Sequence, residues 1–218
     1  MGIAGADMRR WRGYNLGAKN MSDPLYLSLW FTGFEADEML PHAVGVLRQF
    51  PFSAAQPGVT YVSVQPMDWS EASIFERRFL SAALPEEAAG QLEEFAHEDY
   101  AIIFECWWDL WSSPESDASE WLLRPSRVQI MVHGKQFDEA TYTELGHIQA
   151  DFGLDSAFLH EELSLDATAE EHIRANIAKL LGFTQKVEKN CKLTGRLLWS
   201  ESEESLAQKL VARLQGVQ

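Results

Sequence analysis

The chain has 218 residues, 46% apolar and 23% charged, which excludes a disordered chain and a minimal domain that needs disulfide staples. Lys and Arg total 18 against 33 Asp and Glu, a formal net charge of −15. Such a surface repels phosphate backbones and anionic membranes; it serves solubility, and it suits a basic protein partner drawn by the opposite field.

Residues 1–22 read as a flexible leader, a tag or a misassigned start. They lack the apolar core of a secretory signal, and Met21-Ser22-Asp23-Pro24 reads as a second start. Arg9, Arg10, Arg12 and Lys19 against Asp7 give this segment +3, so the rest of the chain carries −18. No run of apolar residues approaches membrane-spanning length. Cys106 and Cys191 form no CxxC and no framework, which points to free thiols and a cytoplasmic location. No cofactor is implied.

From residue 23 the elements alternate. Leu25, Leu27, Leu29 and Phe31 line one face of a strand over 25–31. A helix is expected over 36–49, with Pro41 in its first turn, ended by Phe50-Pro51. A strand follows over 60–65, then a helix over 71–81 capped by Ser70, and another from Pro85 to about His97. Residues 101–111 are the most β-prone run in the chain. Trp121–Leu123 and Val128–His133 read as two extended segments, and Asp138 is expected to cap a helix ending near Gly153. A short strand over 157–163, a helix from the capping box at Thr168 to Gly182, and a strand over Gly195–Trp199 come next. The final helix follows a second capping box at Ser200, with Leu206, Leu210 and Leu214 in a stripe.

Two stretches resemble each other. Val62–Ser73 runs against Ile130–Thr141 at an offset of 68, pairing Trp69 with Phe137, and Leu29-Trp30-Phe31 matches Cys106-Trp107-Trp108 at an offset of 77. Strand–turn–helix junctions also converge on such caps and staples unaided. The expected fold is therefore α+β: a largely antiparallel sheet with helices on one face. Its finer form is two duplicated ferredoxin-like units, 23–99 and 100–218, the second carrying a C-terminal helix–strand–helix extension.

The aromatic strand carries the candidate site. If Ile102, Phe104, Cys106, Trp108 and Leu110 face the helices, then Ile103, Glu105, Trp107, Asp109 and Trp111 face away, together with Tyr26, Ser28, Trp30, Thr32 and Phe34 of the first unit. A Trp-bearing face must be buried by a neighbouring unit, a second copy, a partner or a ligand. The expected binding residues are Trp30, Glu105, Trp107, Asp109, Trp111 and His133. Catalytic motifs are absent: there is no GxSxG, HExxH, GxGxxG or GxxxxGK[ST]. Glu105 and Asp109, four residues apart on a strand, sit about 13 Å apart, too far for a glycosidase pair. His133 near Glu105 or Asp109 would make a proton-transfer pair, the basis of an alternative reading as a small enzyme or ligand-binding domain. His160, His172 and nearby glutamates form a weaker metal candidate, which solvated helix caps explain better. Cys191, close to Lys186, Lys189 and Lys192, is expected to be the reactive thiol. The favoured reading is a non-catalytic binding protein that meets a basic protein partner or a second copy of itself.

Overall fold

The computed structural model describes residues 23–113, 121–138, 140–159 and 167–200, with positions 206, 210, 211 and 214. In chain order these form β1 (Pro24–Phe31), α1 (Ala36–Leu47), β2 (Val59–Pro66), β3 (Phe75–Ala83), α2 (Pro85–Gly90), β4 (Tyr100–Ser112), β5 (Leu122–His133), α3 (Thr141–Glu144), β6 (Ile148–Leu154), α4 (Ala167–Asn190) and β7 (Leu193–Ser200). The fold is α+β, with one seven-stranded sheet in the order β3-β2-β4-β5-β6-β1-β7, antiparallel at every pairing.

Alternation decides which face is which. Leu25, Leu27 and Leu29 of β1, Val62 and Val64 of β2, Ile102 to Leu110 of β4, Val128 to Val132 of β5, and Ile148 and Ala150 of β6 all enter one core. The apolar stripes of α1 and α4, through residues such as Met39, Val46, Ile173, Ile177 and Phe183, join the same core. Trp108 is fully buried at its centre, with Phe50 at 5.6 Å, Phe152 at 5.1 Å and Phe158 at 6.0 Å. α1 and α4 therefore lie on one face of the sheet. Among the described residues, no helix of this core packs on the other face.

Several expected elements change type. Residues 71–81 are largely strand, not helix. Phe75, Arg77 and Phe79 alternate with Glu76 and Arg78, and β3 gives β2 its outer ladder. The helix expected from Asp138 to Gly153 shrinks to α3. Ile148, Ala150 and Phe152 alternate into the core, and pairing with both β5 and β1 outweighs the helical caps. The helix from Pro85 stops at Gly90 and leaves a 3-10 turn over Glu93–Phe95, because Leu92 must bury fully and Phe95 must meet Phe75 at 4.9 Å. α1 begins at Ala36, which places Pro41 beyond the first turn.

The two extended segments at 121–123 and 128–133 are one strand. β5 runs through Pro125 where it has no β6 neighbour, so the missing N–H interrupts no second ladder. α4 passes Gly182 because Phe183 and Val187 continue its buried stripe. Residues 155–157 form a 3-10 turn rather than the start of a strand. Residues 160–163 of the expected strand, most of the capping box at Ser200 and most of the last helix lie outside the described residues, although Leu206 and Leu210 are helical and buried.

The two repeat-related stretches do not occupy matching ladders. β4 and β5 pair along twelve positions, whereas β1 and β2 are separated by β4, β5 and β6. Their aromatics nevertheless meet. Trp69 and Phe137 stand edge to face at 4.9 Å.

Candidate functional site: the open sheet face

One row of side chains crosses the open face on all seven strands. Cα pairing links Arg78 to Tyr61, Tyr61 to Glu105, Glu105 to Gln129, Gln129 to Asp151, Asp151 to Tyr26, and Tyr26 to Trp199. At the usual strand spacing the row is about 29 Å wide. The adjoining row runs Glu76, Ser63, Ile103, Met131, Gln149, Ser28 and Leu197. Leu197 is 52% exposed. The Tyr26 and Trp199 rings pack at 4.8 Å, and Trp199 Nε1 donates to Ser28 Oγ at 3.0 Å.

The centre of the face is built on a bulge. Register shifts between Val59 and Tyr61, leaving Thr60 as the extra residue of β2 against β4. Its hydroxyl thereby reaches the open face. Thr60 Oγ1 donates toward Glu105 Oε1 at 3.1 Å and accepts from Trp107 Nε1 at 3.1 Å. Glu105 is 5% exposed. Arg78 approaches its Oε1 at 3.5 Å and Arg127 its Oε2 at 3.6 Å. The Arg78 guanidinium also lies 5.1 Å over the Tyr61 ring. Burial raises the Tyr61 pKa; a hydrogen bond with Ser63 opposes the shift and one with Glu76 adds to it.

β4 outruns β2, which pairs with it only as far as Cys106. Its bare edge is then closed piece by piece. Ser53 N donates to Trp107 O at 2.6 Å, Lys179 Nζ donates to Asp109 O, and Asn176 brackets Trp111, accepting from its N at 2.9 Å and donating to its O at 2.8 Å. The Asp109 carboxylate takes part in the same work, accepting from Ser53 Oγ at 2.6 Å and Ala54 N at 3.1 Å. The Trp111 ring stacks on His172 at 4.0 Å.

The expected binding residues are thus dispersed over one face. Glu105 and Trp107 share the central network. Asp109 and Trp111 anchor the loop after α1 and the start of α4. Trp30 lies near the β7 edge, paired with Gly195, and its Nε1 donates to Thr143 O at 3.2 Å. His133 pairs with Ala101, four ladder positions from Glu105 and about 13 Å away along the strands, so the two form no direct proton-transfer pair. Phe34, expected on the open face, turns into the core against His42, His147 and Tyr142. Sequence reasoning missed Thr60, Arg78 and Arg127. Thr60 reaches the face only through a bulge, and Arg78 stands on a stretch with helix-like caps.

His133 occupies the sheet end beneath two loops. It is fully buried, with Nδ1 2.8 Å from Gly146 O, and the rings of Trp69 and Phe137 pack on it at 5.9 and 6.3 Å. The carbonyl can only accept, so Nδ1 carries the proton and Nε2 presents a buried lone pair without a partner. Both loops hold non-glycine residues at positive φ, Met67 at 60° and Asp138 at 41°, and Asp138 N donates to Met67 O at 2.8 Å.

Among the described residues, no group of three or more His, Cys, Asp or Glu side chains is placed to hold a metal ion, and His160 lies outside them. No described helix is long and apolar enough to cross a membrane. Burial raises the Cys191 thiol pKa, opposite to the lowering expected from the nearby lysines, and the thiol packs toward Gly45 of α1. Cys106 is buried and likewise raised, by desolvation first and then by the neighbouring Glu105. Compared with known proteins, the chain matches no family model, no curated protein and no solved structure.

Proposed function

We propose that this chain is a non-catalytic binding protein whose open sheet face docks a protein partner: a basic protein attracted by the net charge of −15, or a second copy of the chain. The observation that carries this reading is the one-sided core. All the core-forming strand residues point toward the helices, while the opposite face sets Trp30, Trp107, Trp199 and Leu197 among polar side chains. Half-exposed indoles of this kind supply area together with a polar handle, the composition that binding surfaces favour. The enzyme reading has less support, because Glu105, Asp109 and His133 do not converge. Two free thiols, Cys106 and Cys191, fit a reducing compartment such as the cytoplasm. A duplicated origin of the β2–β3 and β5–β6 hairpins would account for the contact between Trp69 and Phe137.

The test inserts charge into the face without touching the core. In Leu197→Lys/Met131→Lys, far-UV circular dichroism and thermal midpoint should match wild type, while self-association or capture of a defined basic protein is lost. A wild-type chain that sediments as a monomer and captures no protein removes the reading. So does an association that survives the double substitution.

A further inference from the structure

We infer that Arg78 and Arg127, held over the buried Glu105, form a receptor for a monoanionic carboxylate at the centre of the open face. The inference deepens the docking proposal and rests on it. Arg78 reaches from β3 across β2, and Arg127 from the neighbouring β5, to one carboxylate on β4. Their side chains are 69% and 57% exposed and that of Glu105 only 6%, so the carboxylate lies below and the guanidiniums above it. Each arginine makes one long contact with Glu105, at 3.5 and 3.6 Å, rather than the short paired bonds of a closed fork. The planar donor groups remain available to a second oxyanion.

Charge selects the class of ligand. Two guanidiniums over one carboxylate leave one positive charge, which a monoanion neutralises. A dianionic phosphate would also meet Glu105 beneath it and a chain of net charge −15. The site is preorganised as well. The Thr60 bulge ties Glu105 to Trp107, and the Tyr61 ring supports Arg78. Tyr61 and Trp107 flank the arginines with aromatic surface for the group that bears the carboxylate. In keeping with the docking proposal, that group is a side-chain or terminal carboxylate of the docked protein, and a free aryl or aliphatic acid is the alternative that the test separates.

The Trp107 indole N–H, bonded to Thr60, reports on the site by NMR. Titration with 3-phenylpropionate should shift this resonance saturably, and the neutral 3-phenylpropionamide should bind at least about tenfold more weakly, as loss of a charge-assisted bond implies. Arg78→Gln and Arg127→Gln should each weaken the acid by a similar factor. Arg78→Lys and Arg127→Lys, which keep the charge but lose the fork, should fall between. Glu105→Gln should tighten binding by removing the negative charge beneath. The peptide Ala-Ala-Phe with a free C-terminus, compared with its amide, separates the two sources: tighter binding than the small acid is expected of a protein carboxylate, and equal or weaker binding would overturn that assignment. Equal binding of acid and amide, no saturation at tens of millimolar, or unchanged affinity in folded arginine variants would overturn the inference. The docking proposal is judged separately by the Leu197→Lys/Met131→Lys variant, which leaves both arginines in place.

Discussion

Burial disfavours a second proton on His133, because a proton on Nε2 would find no acceptor. Burial lowers its pKa from 6.5 to about 4, and the Gly146 carbonyl only partly opposes this. His147 is lowered to about 4 as well, by burial first and then by His42 and His133. In the unfolded chain both rings protonate near 6.5, so below that pH the unfolded state binds more protons than the native state and native stability falls. Each ring contributes at most about 1.4 kcal/mol per pH unit between its unfolded and folded pKa values. Urea midpoints measured between pH 7 and 5 should therefore drop with acidity, and His133→Gln should flatten the drop. An unchanged slope in that variant would show that His133 takes up its proton in the native state too. Thr60 bears on a different network. Thr60→Val keeps the shape but strips the hydroxyl that serves both Glu105 and Trp107, at a cost of about 1–3 kcal/mol. A loss of the Trp107 indole hydrogen bond, seen in its NMR shift, should accompany it.

At the scale of elements, the edge of β4 beyond Cys106 depends on side chains from outside the sheet. Asn176 of α4 is 1% exposed and makes three bonds, two to Trp111 and one donated to Ala157 O at 2.9 Å. Asn176→Leu removes all three and leaves the part-buried N–H and C=O of Trp111 and the C=O of Ala157 unpaired. A loss of about 2–4 kcal/mol is expected, with faster amide exchange at Trp111 than at Phe104. Uniform exchange along β4 would place the cost elsewhere. Strands such as β1, β4 and β7 were legible in the sequence because each needs only its own alternation to declare a face. β3 and β6 were not, since their helix-like caps and acidic first turns are local features. What makes them strands is pairing with residues far along the chain: Tyr61 for Arg78, Leu29 for Ile148. The same limit explains the site. Glu105 and Trp107 could be named from their own strand, but Arg78, Arg127 and Thr60 join them only through register and a bulge.

At the scale of the molecule, the sheet order joins the first described strand to the last. β1 is hydrogen-bonded to β6 and β7, and β2 to β3 and β4, with no ladder between β1 and β2. The boundary at residue 99 suggested by the repeat therefore cuts three of the six ladders: β1–β6, β1–β7 and β2–β4. A fragment spanning 23–99 would keep one hairpin, β2–β3, and strand β1 alone, with Leu25, Leu27, Leu29 and Phe31 stripped of their neighbours. An isolated two-stranded hairpin is marginal in water, and long-range ladders contribute only after the closure of the intervening loops has been met. Residues 23–99 expressed alone are expected to show no cooperative thermal transition and no dispersed amide spectrum. Mixed with 100–218, they should recover both, because the interface they rebuild is a continuous sheet and core. If 23–99 folds by itself, β1 and β2 must pair in some other way than in the whole chain. The repeat would then mark a unit with its own stability, and the seven-stranded row on the open face would be an assembly of two parts.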